Sequence, residues 1–248
     1  MRCSRALRTA LACLLLVPAM EGCLLTRVME TRSQLCGEQP GRVILDQQPG
    51  RGLRVVFEQP TLTDDDVIRI VGLAPGEMRD SGAVRELSYE ARPLHRPLVR
   101  IDGLGVKLWF VQLRGAHRLS RLELPEKFNP VLTTPLLDAA VDVACKAQVV
   151  MVPPGSSFDL TAIDRAALPT RDALKRLLGP PSTASLHNQQ ITYQFCLAPC
   201  TSTPPMVADL RFSFSLAGEL QRAEASYFRY AAVVDLASVT PTATIRLQ

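Results

Sequence analysis

Apolar positions alternate in short runs over most of the chain and switch to helical spacing in a few places. One helical stretch, Thr170 to Gly179, has both ends marked. Thr170 can accept a hydrogen bond from an orphan amide of the first turn. Asp172 suits the positive end of the helix dipole, and Leu174, Leu177 and Leu178 form one apolar stripe. Gly179 allows a left-handed stop, and Pro180 and Pro181 cannot continue the helix. The stretch from Thr63 to Gly72 has the same layout, with Asp64, Asp65 and Asp66 in its first turn and Pro75 behind it. Two further helices are predicted. One runs from Thr26 to Cys36 before Gly37, and one starts at Thr134-Pro135 and runs to Cys145, since proline is tolerated at the first helical position.

The alternating runs predict strands over Arg42–Asp46, Leu53–Glu58, Arg85–Arg92, Gln148–Val152 and Ile191–Cys196. Val106–Arg114 and Arg118–Leu124 read as a hairpin about Gly115, and Ala208–Ser215 and Glu219–Tyr227 as a hairpin about Gly218. Phe128–Pro135, with two prolines and two threonines, reads as a linker. Tyr230–Gln248 reads as one more strand or a loose tail. The order helix, strand, capped helix, strand with tyrosine, hairpin occurs twice, and Leu108-x-Phe110 echoes Leu210-x-Phe212. Units recurring at a fixed period indicate repetition. The expected fold is therefore α+β: two tandem repeats, each an antiparallel sheet with helices packed on one face. Residues 1–22 would form a leader, 23–128 the first repeat and 129–248 the second.

A helix ending Leu-Gly-x-Pro, a strand with a tyrosine and a long hairpin with a central glycine together resemble the small outer-membrane lipoproteins of the SmpA/BamE type. Thr170–Tyr227 matches best, and Thr63–Leu124 matches with a longer loop from Gly76 to Val84. In tandem, such units resemble the layout of the beta-lactamase inhibitory proteins. The resemblance implies a small antiparallel sheet with helices on one face. It also implies a binding or scaffolding role, sometimes in assembling outer-membrane barrels, without catalytic residues.

The first residues look like an export signal. Arg2, Arg5 and Arg8 precede an apolar run from Leu11 to Val17, too short to span a bilayer, which needs about 20 apolar residues. Gly22-Cys23 then resembles the lipobox of bacterial lipoproteins, although Met20 and Glu21 depart from its usual residues. The resemblance implies acylation of Cys23, which anchors a chain to one leaflet without a spanning helix. Leu24, in place of an aspartate, implies the outer membrane. The formal charge is +4, and the leader's three arginines against Glu21 account for +2 of it. So weak a balance, with aromatics at 5%, gives no footing for a nucleic-acid partner.

Cys36, Cys145, Cys196 and Cys200 remain after the leader. An even number in an exported chain suggests disulfides, and four cysteines admit three pairings. Cys36 and Cys145 close corresponding helices, so a 36–145 bridge could staple the repeats and 196–200 close a small ring. Reduced, buried thiols are the alternative. No catalytic set, cofactor loop or metal site is expected. His95, His117 and His187 lie in no hydrolase or zinc motif, and Asp64-Asp65-Asp66 suits a helix start better than a calcium loop. Trp109 points away from Leu108 and Phe110 on a strand. It packs under the opening helix or lies on an exposed sheet face that a partner could bury. The expected function is a non-enzymatic lipoprotein on the periplasmic face of the outer membrane, a binding or assembly scaffold for another envelope protein. The alternative is a lipid- or small-ligand-binding lipoprotein, which a large apolar cavity would favour.

Overall fold

The computed structural model describes residues 24–39, 41–48, 50–94, 104–146, 156–161, 163–185, 189–197, 200 and 206–247. Among them, thirteen strands form one antiparallel sheet. Its first five strands are β1 (Val43–Gln48), β2 (Gly52–Phe57), β6 (Ala116–Leu124), β5 (Gly105–Leu113) and β4 (Val84–Pro93). The ladder continues through β9 (Gln190–Leu197), β10 (Val207–Phe214), β11 (Leu220–Tyr227), β12 (Tyr230–Asp235), β13 (Thr242–Leu247) and β7 (Ser156–Asp159). Two short strands leave this path: β3 (Glu77–Asp80) pairs with β4, and β8 (Thr183–Ala184) with β9.

This corrects the expectation of two tandem α+β repeats with a sheet apiece. The joint is the pairing of β4 with β9, in register Ala91↔Leu197, Arg92↔Cys196 and Pro93↔Phe195. The Leu94 amide extends it by donating to the Gln194 carbonyl at 2.8 Å. An open sheet edge is a row of unpaired donors and acceptors, and joining β4 to β9 satisfies both edges at once.

The two capped helices are present as α2 (Asp64–Val71) and α4 (Arg171–Leu178). Thr63 and Asp66 form a reciprocal capping box: the Thr63 hydroxyl accepts from the Asp66 amide at 3.2 Å, and Asp66 accepts from the Thr63 amide at 2.9 Å. Thr170 accepts from the Ala173 amide at 3.2 Å. Each helix lies over its own stretch of the sheet. Val67 of α2 packs with Leu87, Tyr89, Leu108, Phe110 and Leu119. Leu174, Leu177 and Leu178 of α4 pack with Ile191, Tyr193, Phe195 and Phe214. A tyrosine ties each helix end to the sheet. Tyr89 donates to the Leu73 carbonyl and Tyr193 to the Gly179 carbonyl, both at 3.2 Å. Burial pushes both phenols up to about 12, so they stay neutral donors across the physiological range.

Gly72 ends α2 in the left-handed region at φ 75°. A Cβ there would come within 2.7 Å of the Phe228 ring, which belongs to the turn between β11 and β12. The late part of the chain therefore caps an early helix. Three stretches that pattern alone misjudged belong to the packed structure. The expected linker contributes Val131, 9% exposed, to the core under α4. The expected tail supplies both β12 and β13. The expected Gly76–Val84 loop contains β3. The strand expected over Gln148–Val152 lies outside the described residues.

A first helix, α1, covers residues 24–35. Arg27 joins it to α2 by pairing with Asp66 at 2.6 Å, and the Asp66 side chain is 2% exposed. Burial alone would raise the Asp66 pKa, but hydrogen bonds from Arg27 and Thr63 and the charge of Arg27 outweigh it and hold the group below its ordinary 3.8. A depressed carboxylate stabilises the fold above its unfolded pKa, and that stability is lost as pH falls through the folded one. Asp66→Asn should therefore cost about 1–3 kcal/mol at pH 7, the usual range for a charge-assisted bond, and progressively less below pH 3.8. Urea unfolding of both proteins at pH 7 and pH 3 checks this. An equal gap at the two pH values would remove the charge from the explanation.

Candidate functional site

Helix α3 (Thr134–Lys146) has none of its residues buried. It is held at its two ends. Gln47 of β1 donates to the Leu132 carbonyl at 2.7 Å and to Asn129 at 3.0 Å, and accepts from the Thr134 hydroxyl at 3.0 Å. At the far end, the Cys36–Cys145 disulfide bonds α3 to the chain just after α1. Arg32 of α1 donates to the Cys145 carbonyl at 2.8 Å and the Ala144 carbonyl at 3.2 Å. The helix thus spans the second half of the sheet like a bar fixed at both ends.

Beneath it lies a cavity of about 570 Å3. Leu136 and Val143 of α3 form its roof, Leu177 of α4 one wall, and Phe212, Ala223 and Val234 its floor. The floor follows from register: Ala223 of β11 stands between Phe212 of β10 and Val234 of β12, all on the face that carries the helices. Ile245 of β13 lines the same space and is 47% exposed, so the cavity opens to solvent at that edge. Its lining side chains are apolar throughout.

The opposite face of the sheet is polar and carries paired charges. Trp109 is on this face, away from α1 and α2, so it does not pack under the opening helix. Its indole donates to Glu123 at 3.2 Å, and the Arg121 guanidinium stands 4.6 Å from the ring centroid. Glu123 also pairs with Arg54 and Arg121, and Lys107 with Glu86 at 3.5 Å.

Cys23, the expected lipidation residue, lies outside the described residues, as do His95 and His187. Both disulfides are formed, Cys36 with Cys145 and Cys196 with Cys200, each with Cα atoms 5.4 Å apart. The three aspartates at the start of α2 do not face one centre: Asp64 pairs with Arg85, and Asp66 with Arg27. Among the described residues, no three His, Cys, Asp or Glu side chains converge as a metal-binding group. His117 meets the Gly82 carbonyl at 3.1 Å. No described helix is long and apolar enough to cross a membrane.

Sequence reasoning found the α4 wall and the helix that forms the roof, placing Leu136, Ala140 and Ala144 but not Val143 on its apolar side, and missed much of the floor. Val234, Ala243 and Ile245 all sit in the stretch read as strand or tail, although Ala232-x-Val234 and Ala243-x-Ile245 carry a period of two. No protein-family model, no curated protein and no solved structure matches the chain.

Proposed function

We propose that this chain is an exported, non-enzymatic lipoprotein that holds one hydrophobic chain of a lipid in the cavity beneath α3. The observation that carries the reading is the wholly apolar lining of an open space of about 570 Å3. Protein interiors have few voids larger than a water molecule, and ligand sites run from roughly 300 to 1,000 Å3. At the ~30 Å3 that a water occupies in the liquid, taken as roughly the size of a methylene, a space of about 570 Å3 holds a chain of at most about nineteen carbons. Burying each methylene contributes about 0.8 kcal/mol, before the costs of association.

The sequence supports the same setting. Acylation at Cys23 would anchor the chain at the head of α1, on the periplasmic face of the outer membrane. Twelve residues of helix span about 18 Å, and the other end of α1 runs into the bond that fixes the lid. The cavity would thus sit within a helix length of a lipid surface. The SmpA/BamE resemblance supports a binding rather than a catalytic role.

Full-length protein, purified and extracted with organic solvent, should release about one non-covalent acyl species per chain, as read by mass spectrometry. Protein that carries no such species, and binds none when offered fatty acids or phospholipids, overturns the reading. A second reading, docking of another envelope protein, is favoured by the polar sheet face around Trp109. Crosslinking from a photoreactive residue at position 109 in intact envelopes tests it, and absence of any protein adduct would count against it.

A further inference from the structure

Two hairpin turns close the same end of the sheet's second half. The β10–β11 turn follows the pair Phe214↔Leu220, and the β12–β13 turn follows Asp235↔Thr242. β11 pairs with β12 at Arg222↔Asp235, and the Leu236 amide donates to the Gln221 carbonyl at 2.8 Å, so the turns stand side by side. At a strand spacing of roughly 4.8 Å, the two hairpins are two spacings, about 10 Å, apart. Each turn holds one aliphatic side chain out in solvent: Leu216 is 85% exposed and Val239 fully exposed. Phe228, in the turn at the opposite end, is also partly exposed, but its ring packs over Gly72.

Three features of these turns suit entry into the boundary of a lipid leaflet. No charged residue occurs from Ser215 to Gly218 or from Leu236 to Thr244, and charge is costly in hydrocarbon. Polar groups of the turns bond among themselves, as backbone entering hydrocarbon must. The Ser215 amide donates to the Glu219 carbonyl at 2.8 Å, and the Gly218 amide to the Ser215 carbonyl at 2.9 Å. The Ser238 hydroxyl donates to the Thr240 carbonyl at 2.6 Å, and Asp235 accepts from the Ala237 and Ser238 amides at 3.1 and 3.2 Å. Beside the turns stand Arg165, Arg171, Asp172 and Glu219, two of each sign, so their charges balance. A stable protein interface needs roughly 800 Å2 from each partner, and two separate aliphatic prongs offer far less.

We infer that Leu216 and Val239 form a docking site for the surface of a phospholipid leaflet, with both side chains entering its acyl boundary. Neither residue lines the cavity, so the inference goes beyond the reading of that space as a lipid site. It also gives the site a direction. Leu220 and Leu236, which flank the two turns, line the cavity, so its near end would face the leaflet from which a lipid comes.

The test places a tryptophan at each tip in turn, Leu216→Trp and Val239→Trp, in full-length protein mixed with phosphatidylcholine vesicles whose acyl chains carry bromine. Both probes should shift to the blue and lose half or more of their emission, whereas wild type, with Trp109 alone, should not change. Circular dichroism checks that each variant is folded. Val239→Glu beside the probe at 216 should cut its quenching on the order of ten-fold, because a charge resists burial in lipid. Salt at 1 M should leave the quenching as it is. Unquenched probes at both positions, quenching that survives Val239→Glu, or quenching only with anionic vesicles overturns the inference. So does a blue shift without vesicles that grows with protein concentration, which would make the occupant a second copy of the chain. The cavity reading fails separately, on binding of fatty acid from solution, which none of these substitutions should alter.

Discussion

The full chain with Cys36→Ser and Cys145→Ser should lose about 4–5 kcal/mol of stability and most of its hold on α3. The bond closes a loop across a sequence separation of 109. In the chain-entropy account, a loop of about a hundred residues contributes roughly 4.7 kcal/mol by restricting the unfolded chain. Marginal stability of about 5–15 kcal/mol makes that a large share of the total. The loss should be uneven. The cores under α2 and α4 keep their buried contacts, whereas α3 has no buried residue and keeps Gln47 at one end and Arg32 at the other. Hydrogen exchange should therefore rise first at 134–146, and chemical unfolding should show the lower midpoint. Uniform exchange with an unchanged midpoint would mean that the bond constrains nothing that matters. The same residues should be unreactive toward thiol reagents in protein from an oxidising compartment.

Ala223→Trp should abolish lipid binding, with an affinity loss of at least a hundred-fold, while the protein still folds. The substitution places an indole on the cavity floor between Phe212 and Val234. In a close-packed core, added bulk forces strain of about 1–3 kcal/mol. Here the indole enters open apolar space, so the melting temperature should hold or rise while titration with a fatty acid goes flat. The matched contrast is Phe110→Ala. Phe110 is 0% exposed under α2, so its truncation should cost about 3–5 kcal/mol and leave the lipid site intact. A variant at 223 that binds normally would place the ligand elsewhere.

Much of the local structure was legible in the sequence, because local structure depends on neighbours along the chain. The Thr63 and Thr170 caps, the helix stops at Gly72 and Gly179 and both hairpins follow from capping chemistry and period. The ends of two matching helices suggested Cys36 with Cys145, but the sequence left the other pairings and reduced thiols open, and the structure decides for 36–145 and 196–200. The continuous sheet was not legible. It hangs on three residue pairs between Ala91–Pro93 and Phe195–Leu197, and nothing in either run says which edge it will meet. Pro93 hid the joint further, since proline argues against a strand interior. Glu77–Asp80, exposed at every position, shows no alternation from which β3 could be read. The cavity was illegible for a different reason. Leu136, Val143 and Phe212 look in sequence like any core residues, and whether facing side chains meet or leave a gap depends on how far α3 stands from the sheet. That spacing is set by Gln47 and by the bond at Cys145.

The shared ladder also governs how this protein could be divided. A cut between Asn129 and Thr133, where the chain passes from one half to the other, would strip β4 and β9 of their mutual cover along Ala91–Pro93 and lift Phe228 from the end of α2. Each fragment would present a raw strand margin beside exposed leucine and phenylalanine, the kind of surface that recruits further copies into insoluble assemblies. Neither piece could travel as an independent cassette, so gene fusion or truncation at this point should yield inclusion bodies rather than two working parts.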